Sequence, residues 1–227
     1  MTGSAGATAG RTLLIATTNP GKVREIAGIL HGLAVTLLTL DDRPGIPEPE
    51  ETGATFGENA RLKALYYAHA TGLLSVADDS GLEIAALDDA PGVHSARWHG
   101  SHYPTKFLKI QELLLAASRK AGVPIGARGG TGGDARFVCH IALAHKGRIL
   151  YEAEGIVRGE ILSTPRGDQG FGYDPIFFYP PLGRTLAELG PADKSAVSHR
   201  GKAFEALRAH LLAHCDLARD SSTDQRA

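Results

Sequence analysis

TLLIATTNPGKVREIAGIL (12–30) decides the architecture. Its first seven residues, TLLIATT (12–18), form a short β-rich run. After Asn19-Pro20-Gly21 the period changes, and Val23, Ile26, Ala27 and Leu30 fall at i, i+3, i+4 and i+7, the stripe of a helix. A strand that feeds a helix through a tight turn opens an α/β unit. AVTLLTL (34–40) reads as a second strand and leads into a loop stiffened by Pro44, Pro47 and Pro49. Thr55 and Glu58 have the spacing of a capping box, which predicts a long helix to about Ala70. LLSVAD (73–78) is a third strand, ended by a turn at Asp79-Ser80-Gly81, with LEIAAL (82–87) as a further candidate strand.

The second half has another texture. A helix is expected from about Pro104 to Ala121, then a flexible glycine-rich loop, GARGGTGGD (126–134). In ARFVCHIALA (135–144), Phe137, Cys139, Ile141 and Leu143 alternate as a half-buried strand requires. Gly147 reads as a hairpin turn into ILYEAEGIV (149–157), PIFFY (175–179) as a compact strand, and residues 197–214 as a helix with Phe204, Leu207 and Leu211 on one face. Strand–helix alternation followed by hairpins predicts an α/β fold with a mixed sheet flanked by helices, arranged as two lobes with a cleft between them.

The chain has 227 residues, with 24 Lys+Arg against 25 Asp+Glu and a formal charge of −1. That length suits one two-lobed domain, expected over 12–218, with polar tails at 1–11 and 219–227. A near-neutral chain is no basic nucleic-acid coat, and no apolar run reaches the roughly 18–20 residues of a membrane span. The first ten residues lack the basic and apolar regions of a secretory signal. Cys139 and Cys215 are far apart and make neither a disulfide framework nor a metal knuckle. The expectation is a cytoplasmic protein with reduced thiols.

Four segments carry candidate chemistry. ATTNPGK (16–22) is near a Walker A loop but has Ala16 where the first Gly belongs and Val23 where Ser or Thr belongs, which argues against a P-loop kinase or motor. A helix start with a nearby lysine still favours phosphate oxygens, and Asn19 as an ordinary cap is the plain alternative. The acidic clusters Glu48-Glu50-Glu51 and Asp78-Asp79 could supply the hard oxygens that Mg²⁺ takes. Neighbours on a strand point to opposite faces, so Asp78 and Asp79 do not share one. Glu48 and Glu50 read as solvated loop, Glu58 as a cap, and Asp88-Asp89 as a turn. In GDQGFGYDPIFF (167–178), glycines around Phe171 and Tyr173 leave an aromatic face open for a base, a stack worth roughly 1–3 kcal/mol. In ADKSAVSHRGKAF (192–204), Lys194, His199, Arg200 and Lys202 gather at the positive end of a helix dipole, where an electron-rich ligand would offset their repulsion. His210 and His214 beside Cys215 lack a recognisable third ligand for zinc.

In this order the segments resemble the inosine/xanthosine triphosphate pyrophosphatase family. The resemblance rests on ATTNPGKVREI, EETGATFGENA, ADDSGLEI with PGVHSAR, GFGYDPIFF and DKSAVSHRGKA, spread over residues 16 to 203. It implies an elongated α/β fold, homodimers and dependence on Mg²⁺. It also implies that Thr17, Thr18, Asn19, Pro20, Gly21 and Lys22 form the phosphate-side loop and that Glu51 is a metal ligand. Asp79 would be both metal ligand and proton acceptor, with Ser80 a substrate contact. Phe171, Gly172, Tyr173 and Asp174 would form the nucleotide-binding turn, and Lys194, His199 and Arg200 would read the base.

The implied reaction is Mg²⁺-dependent hydrolysis of a deaminated purine triphosphate (ITP, dITP or XTP) to monophosphate and pyrophosphate, with no nucleic-acid or membrane partner. A donor-lined pocket matches the O6 acceptor of hypoxanthine and xanthine and opposes the amino group of adenine. The alternatives are a pyrophosphatase for modified pyrimidines, a nucleotide-sensing module without turnover, and a phosphotransferase.

Overall fold

The structure is a computed structural model that describes residues 11–121 and 130–214. Most of the expected N-terminal tail, the whole C-terminal tail, residues 126–129 of the glycine-rich segment and Cys215 lie outside the described residues. In chain order the elements are β1 (Arg11–Ile15), α1 (Pro20–Ile29), β2 (Val35–Thr39), α2 (Phe56–Thr71), β3 (Leu74–Ile84), α3 (Tyr103–Ala121), β4 (Gly130–His145), β5 (Arg148–Leu162), β6 (Phe177–Tyr179), β7 (Arg184–Thr185), α4 (Pro191–Val197) and α5 (His199–Ala213). The strands make one sheet in the order β2-β1-β3-β4-β5-β6-β7. β1 runs parallel to β2 and β3, because helices carry the chain back between them. All later pairs are antiparallel. β4 and β5 are joined at Lys146-Gly147, whose φ angles of 48° and 75° are those of a primed hairpin turn. The mixed α/β sheet is therefore the one expected.

Alternation along the strands sorts side chains to two faces. Leu13, Ile15, Val76, Cys139, Ile141 and Leu143 pack against Ile26 and Ile29 of α1 and Phe204 and Leu207 of α5. Further along the same face, Leu82, Ile84, Phe137 and Val157 pack with Phe107, Ile110 and Leu114 of α3 and with Tyr173 and Phe177. The opposite face carries Leu14, Ala16, Ala77, Ala142 and Ala144 under Ala60, Ala64 and Tyr67 of α2. The small residues here let α2 lie close to the sheet. Each fully buried large side chain contributes roughly 1.5–3 kcal/mol.

Three expectations need correction. Asp79-Ser80-Gly81 is not a turn: β3 runs unbroken from Leu74 to Ile84 and pairs with β4 from Ser75–Ala144 to Ile84–Ala135. The turn-like composition has another cause. A Cβ on Gly81 would stand 2.4 Å from Ser95 Oγ and 2.5 Å from Gly92 O, so the glycine admits the 92–95 segment against the strand. Of LEIAAL, only Leu82–Ile84 is strand, and Ala85–Leu87 is a 3₁₀ turn. Residues 130–134 belong to β4, where pairing with β5 overrides glycine's weak strand preference. The last helix is found where it was expected, as α5 from His199 to Ala213: α4 ends just before it at Val197, and Ser198 caps α5 by accepting from Gly201 N at 3.0 Å.

Candidate active site

The turn after β1 is built by Asn19. Its Oδ1 accepts from Gly21 N at 2.9 Å and Lys22 N at 3.2 Å, and Pro20 opens α1 with its fixed φ. The plain reading of Asn19 as a cap holds. Thr17 N bonds to Ile15 O, and Asn19 N lies 3.3 Å from Thr17 Oγ1. The N–H groups of residues 17, 19, 21 and 22 are thus engaged within the turn and are not free for phosphate oxygens. The cation is in place: Lys22 Nζ lies 3.0 Å from Asp78.

Asp79, in mid-β3, points to the α2 side of the sheet, where Asn59 Nδ2 donates to it at 3.2 Å. Lys63 reaches Asp79 Oδ1 at 3.0 Å and Glu51 Oε1 at 2.6 Å, so both expected metal ligands converge on one cationic position. Arg97 adds a second contact to Glu51 at 3.0 Å. Burial pushes the Asp79 carboxyl above its ordinary value; Lys63 and Lys22 pull it down, and Glu51 pushes it up again. Glu51 goes the other way: burial opposes its charge, but Lys63 and Arg97 hold its carboxyl below the usual range. The pair is therefore unequal, with Asp79 the better proton acceptor.

Asp78 faces away from Asp79, as alternation requires. It is buried at 2% exposure, and its Oδ2 takes Lys22, Ser80 Oγ at 3.1 Å and Arg200 at 3.4 Å. Burial disfavours its charge, but Lys22 and Arg200 outweigh that and hold the carboxyl well below the usual range. It ties the phosphate-side loop to the ring-side cations.

At the other end, Asp174 Oδ2 accepts from Lys194 at 2.5 Å and Phe171 N at 2.8 Å. Glu25 of α1 bridges Lys194 at 2.6 Å and Arg200 at 2.7 Å, and Arg200 also donates to Ser80 Oγ at 2.8 Å. These carboxylates, and not a ligand, offset the repulsion between the ring-side cations and the start of α5. The donors expected to be free are largely engaged. His199 stacks on Phe137 with centroids 4.7 Å apart. Phe171 has Lys194 4.8 Å and Arg200 5.4 Å from its ring centre. The ring also lies close to Gly21, where a Cβ would come within 2.7 Å of it. His199 Nδ1 and Arg200 Nε are buried without a hydrogen-bond partner among the described residues.

A cavity of about 120 Å³ joins the two ends. Its lining includes Asn19, Lys22, Glu51, Asp79 and Ser80 at one end and Phe171–Asp174, Lys194, His199 and Arg200 at the other. Thr17, Thr18, Pro20 and Gly21 do not line it, and Gly21 lies in a neighbouring groove behind Phe171. Sequence reasoning missed Lys63, Glu25, Asn59 and Arg97. Glu25 carried a faint signal, since it sits three residues after Lys22 on a helix otherwise turned to the core. Lys63 carried one as well, four residues after Asn59 on the capped helix. Glu48 and Glu50 are exposed, and Glu58 completes the cap of α2 with Thr55. His210 stacks between Tyr151 and His214, and no cluster of three or more metal-ligating side chains occurs among the described residues.

Known proteins resemble this chain over nearly all of its described residues. The sequence model of the Ham1 family matches residues 13–210. A dITP/XTP pyrophosphatase of Geobacter sulfurreducens is 48% identical over 199 residues, 88% of this chain and 96% of that protein. One from Thermus thermophilus is 46% identical over 202 residues, 87% of this chain and 90% of its own. Among solved structures, a HAM1 protein from Coxiella burnetii superposes with a TM-score of 0.77 at 40% identity, covering 89% of this chain and 99% of that one. A nucleoside-triphosphatase, dITP/XTP pyrophosphatase, from Mycobacterium abscessus gives 0.63 at 39% identity, covering 88% and 98%. With the match running from β1 into α5 through every segment that lines the cavity, the chain belongs to the Ham1 family.

Proposed function

We propose that this protein hydrolyses deaminated purine nucleoside triphosphates (ITP, dITP and XTP) to the monophosphate and pyrophosphate, clearing them from the nucleotide pool. One observation carries the reading: two carboxylates converge on a single cation position at one end of a cavity whose other end is lined by buried, ion-paired side chains. At that other end Lys194 and Arg200 are met by Glu25 and Asp174, and Asp78, shared between Arg200 and the phosphate-side Lys22, links the two ends. Such a pocket suits an uncharged ring, whereas Lys63 and Arg97 at the open end suit phosphates. We read the two apolar clusters on one sheet face as the two lobes and the gap between them as the cleft.

The donor set fits Mg²⁺, which takes hard oxygens and few protein ligands. Glu51 and Asp79 would hold the ion, which supplies charge neutralisation at the phosphate oxygens when bound. Asp79, beside the ion, takes the proton of the attacking water. Lys22 and Lys63 steady the phosphate charge. At the ring end, the unpartnered Arg200 Nε is a donor for O6, while an adenine amino group would leave it unpaired at roughly 1–3 kcal/mol. Homodimers and a cytoplasmic location complete the proposal; no helix among the described residues is long and apolar enough to cross a membrane.

The test is pyrophosphate release from inosine, xanthosine, adenosine and guanosine triphosphates, with and without Mg²⁺. Release from the first two, lost with the ion, is expected. Equal rates on ATP and ITP refute the ring assignment. Binding with the triphosphate left intact would make the protein a nucleotide sensor.

A further inference from the structure

Lys106 of α3 is completely buried, and it forms no salt bridge among the described residues. Its Nζ donates to Ser95 O at 3.0 Å and Ala96 O at 2.7 Å, and lies 4.5 Å from the ring centre of Tyr103 and 5.6 Å from that of Tyr173. Tyr173 donates its hydroxyl to the same Ser95 oxygen at 2.9 Å. Burial pulls the ammonium below the ordinary lysine value, as expected for a charge without a counter-ion. A buried charge is a poor packing element, since an apolar side chain of similar volume fills such a place at no electrostatic cost. Its four neighbours, Ser95, Ala96, Tyr103 and Tyr173, all line the cavity described above.

We propose that Lys106 is a positioning residue for base selection: it draws the Ser95 and Ala96 carbonyls onto its ammonium and away from the cavity, so that this wall meets the nucleotide ring with aromatic faces and no free acceptors. The inference rests on the reading of the cavity as a purine triphosphate site. Without Lys106, the Ala96 carbonyl is released beside the ring and the Ser95 carbonyl keeps only Tyr173, so that either has a lone pair to accept from the amino group of adenine. Hypoxanthine, which carries an oxygen there, gains nothing from them. The segment is otherwise held in place, because Ser95 Oγ bonds to Leu82 N at 2.9 Å and to Gly92 O at 2.6 Å.

The experiment is calorimetric titration of wild type, Lys106→Met and Tyr173→Phe with ITP and with ATP, without divalent ion so that affinity is read apart from turnover. Wild type should prefer ITP, Lys106→Met should lose about tenfold of that Kd ratio, and Tyr173→Phe, which removes one of the donors on the Ser95 carbonyl, about threefold. With Mg²⁺, Lys106→Met should raise the KM for ITP more than it lowers kcat. A lysine that only supports packing would lower the melting temperature and leave the Kd ratio untouched, and that result overturns the proposal. Should Lys106→Met fail to fold, an unchanged ratio in Tyr173→Phe overturns it equally. Wild type without any preference for ITP would instead defeat the ring-end reading itself, and this proposal with it.

Discussion

The two ends of the cavity are built from the same residue types and behave differently. At the open end Arg97 is 51% exposed, Glu51 24% and Lys63 13%, and a lysine stands between two carboxylates that also suit a metal ion. At the closed end the side chain of Lys194 is 5% exposed, that of Asp174 4%, of Arg200 3% and of Asp78 0%, and every carboxylate is matched by a cation. Charge at the open end can exchange with solvent and ions, which hydrolysis requires. Charge at the closed end is desolvated and preset, so its hydrogen bonds discriminate strongly. Lys22 and Asp78 join the two ends.

The largest effect expected from breaking this contrast is catalytic. Asp79→Asn removes the proton acceptor and one metal ligand and should lower kcat by about 10²–10⁴ without unfolding the chain. Pyrophosphate release and far-ultraviolet circular dichroism check the two halves of that statement, and near-normal turnover would move the base elsewhere.

The next effect is on stability and should differ between the ends. Arg200→Met leaves Glu25 and the buried Asp78 short of a partner, a loss of about 3–5 kcal/mol. Arg97→Ala breaks an exposed pair that is screened by water and salt, and should cost less than about 1 kcal/mol. Urea midpoints of the two variants measure the contrast directly; equal losses would mean that the closed end is wetter than its geometry.

The smallest effect is a pH dependence confined to the closed end. Burial, then Arg200 and Lys194, hold the His199 imidazole well below its ordinary value. It is neutral in the fold but protonates in the unfolded chain below about pH 6.5, so the unfolded state takes up the extra proton. Stability should therefore fall as pH drops from 6.5 towards 5, by up to about 1.4 kcal/mol per unit. Asp78, whose carboxyl is depressed, keeps its contribution down to about pH 4 and does not enter this window. Comparing wild type with His199→Leu at pH 7, 6 and 5 isolates the term; parallel curves would remove it.

Much of this was legible beforehand because it depends on near neighbours in the chain. The Thr55–Glu58 box, the Asn19 cap and the Lys146-Gly147 hairpin each follow from a few adjacent residues. The turn predicted at Asp79-Ser80-Gly81 failed for the opposite reason. A Ser-Gly pair looks the same whether it bends the backbone or makes room for the 92–95 segment, and only the ladder to β4 distinguishes them. The ring-side cations of the last motif stand together in the fold, but two of their carboxylate partners, Glu25 of α1 and Asp78 of β3, lie far away in sequence.

Local composition and periodicity determined the strand–helix order and the mixed sheet, and a series of short motifs carried the family resemblance, since each is recorded in short-range pattern. Only the folded chain decided that Lys63 would stand between Glu51 and Asp79, that Glu25 would neutralise Lys194 and Arg200, and that Lys106 would be buried behind Tyr173. The reason is physical: whether a charge is solvated or paired depends on what other elements bring within about 4 Å of it, a distance over which sequence separation carries no information.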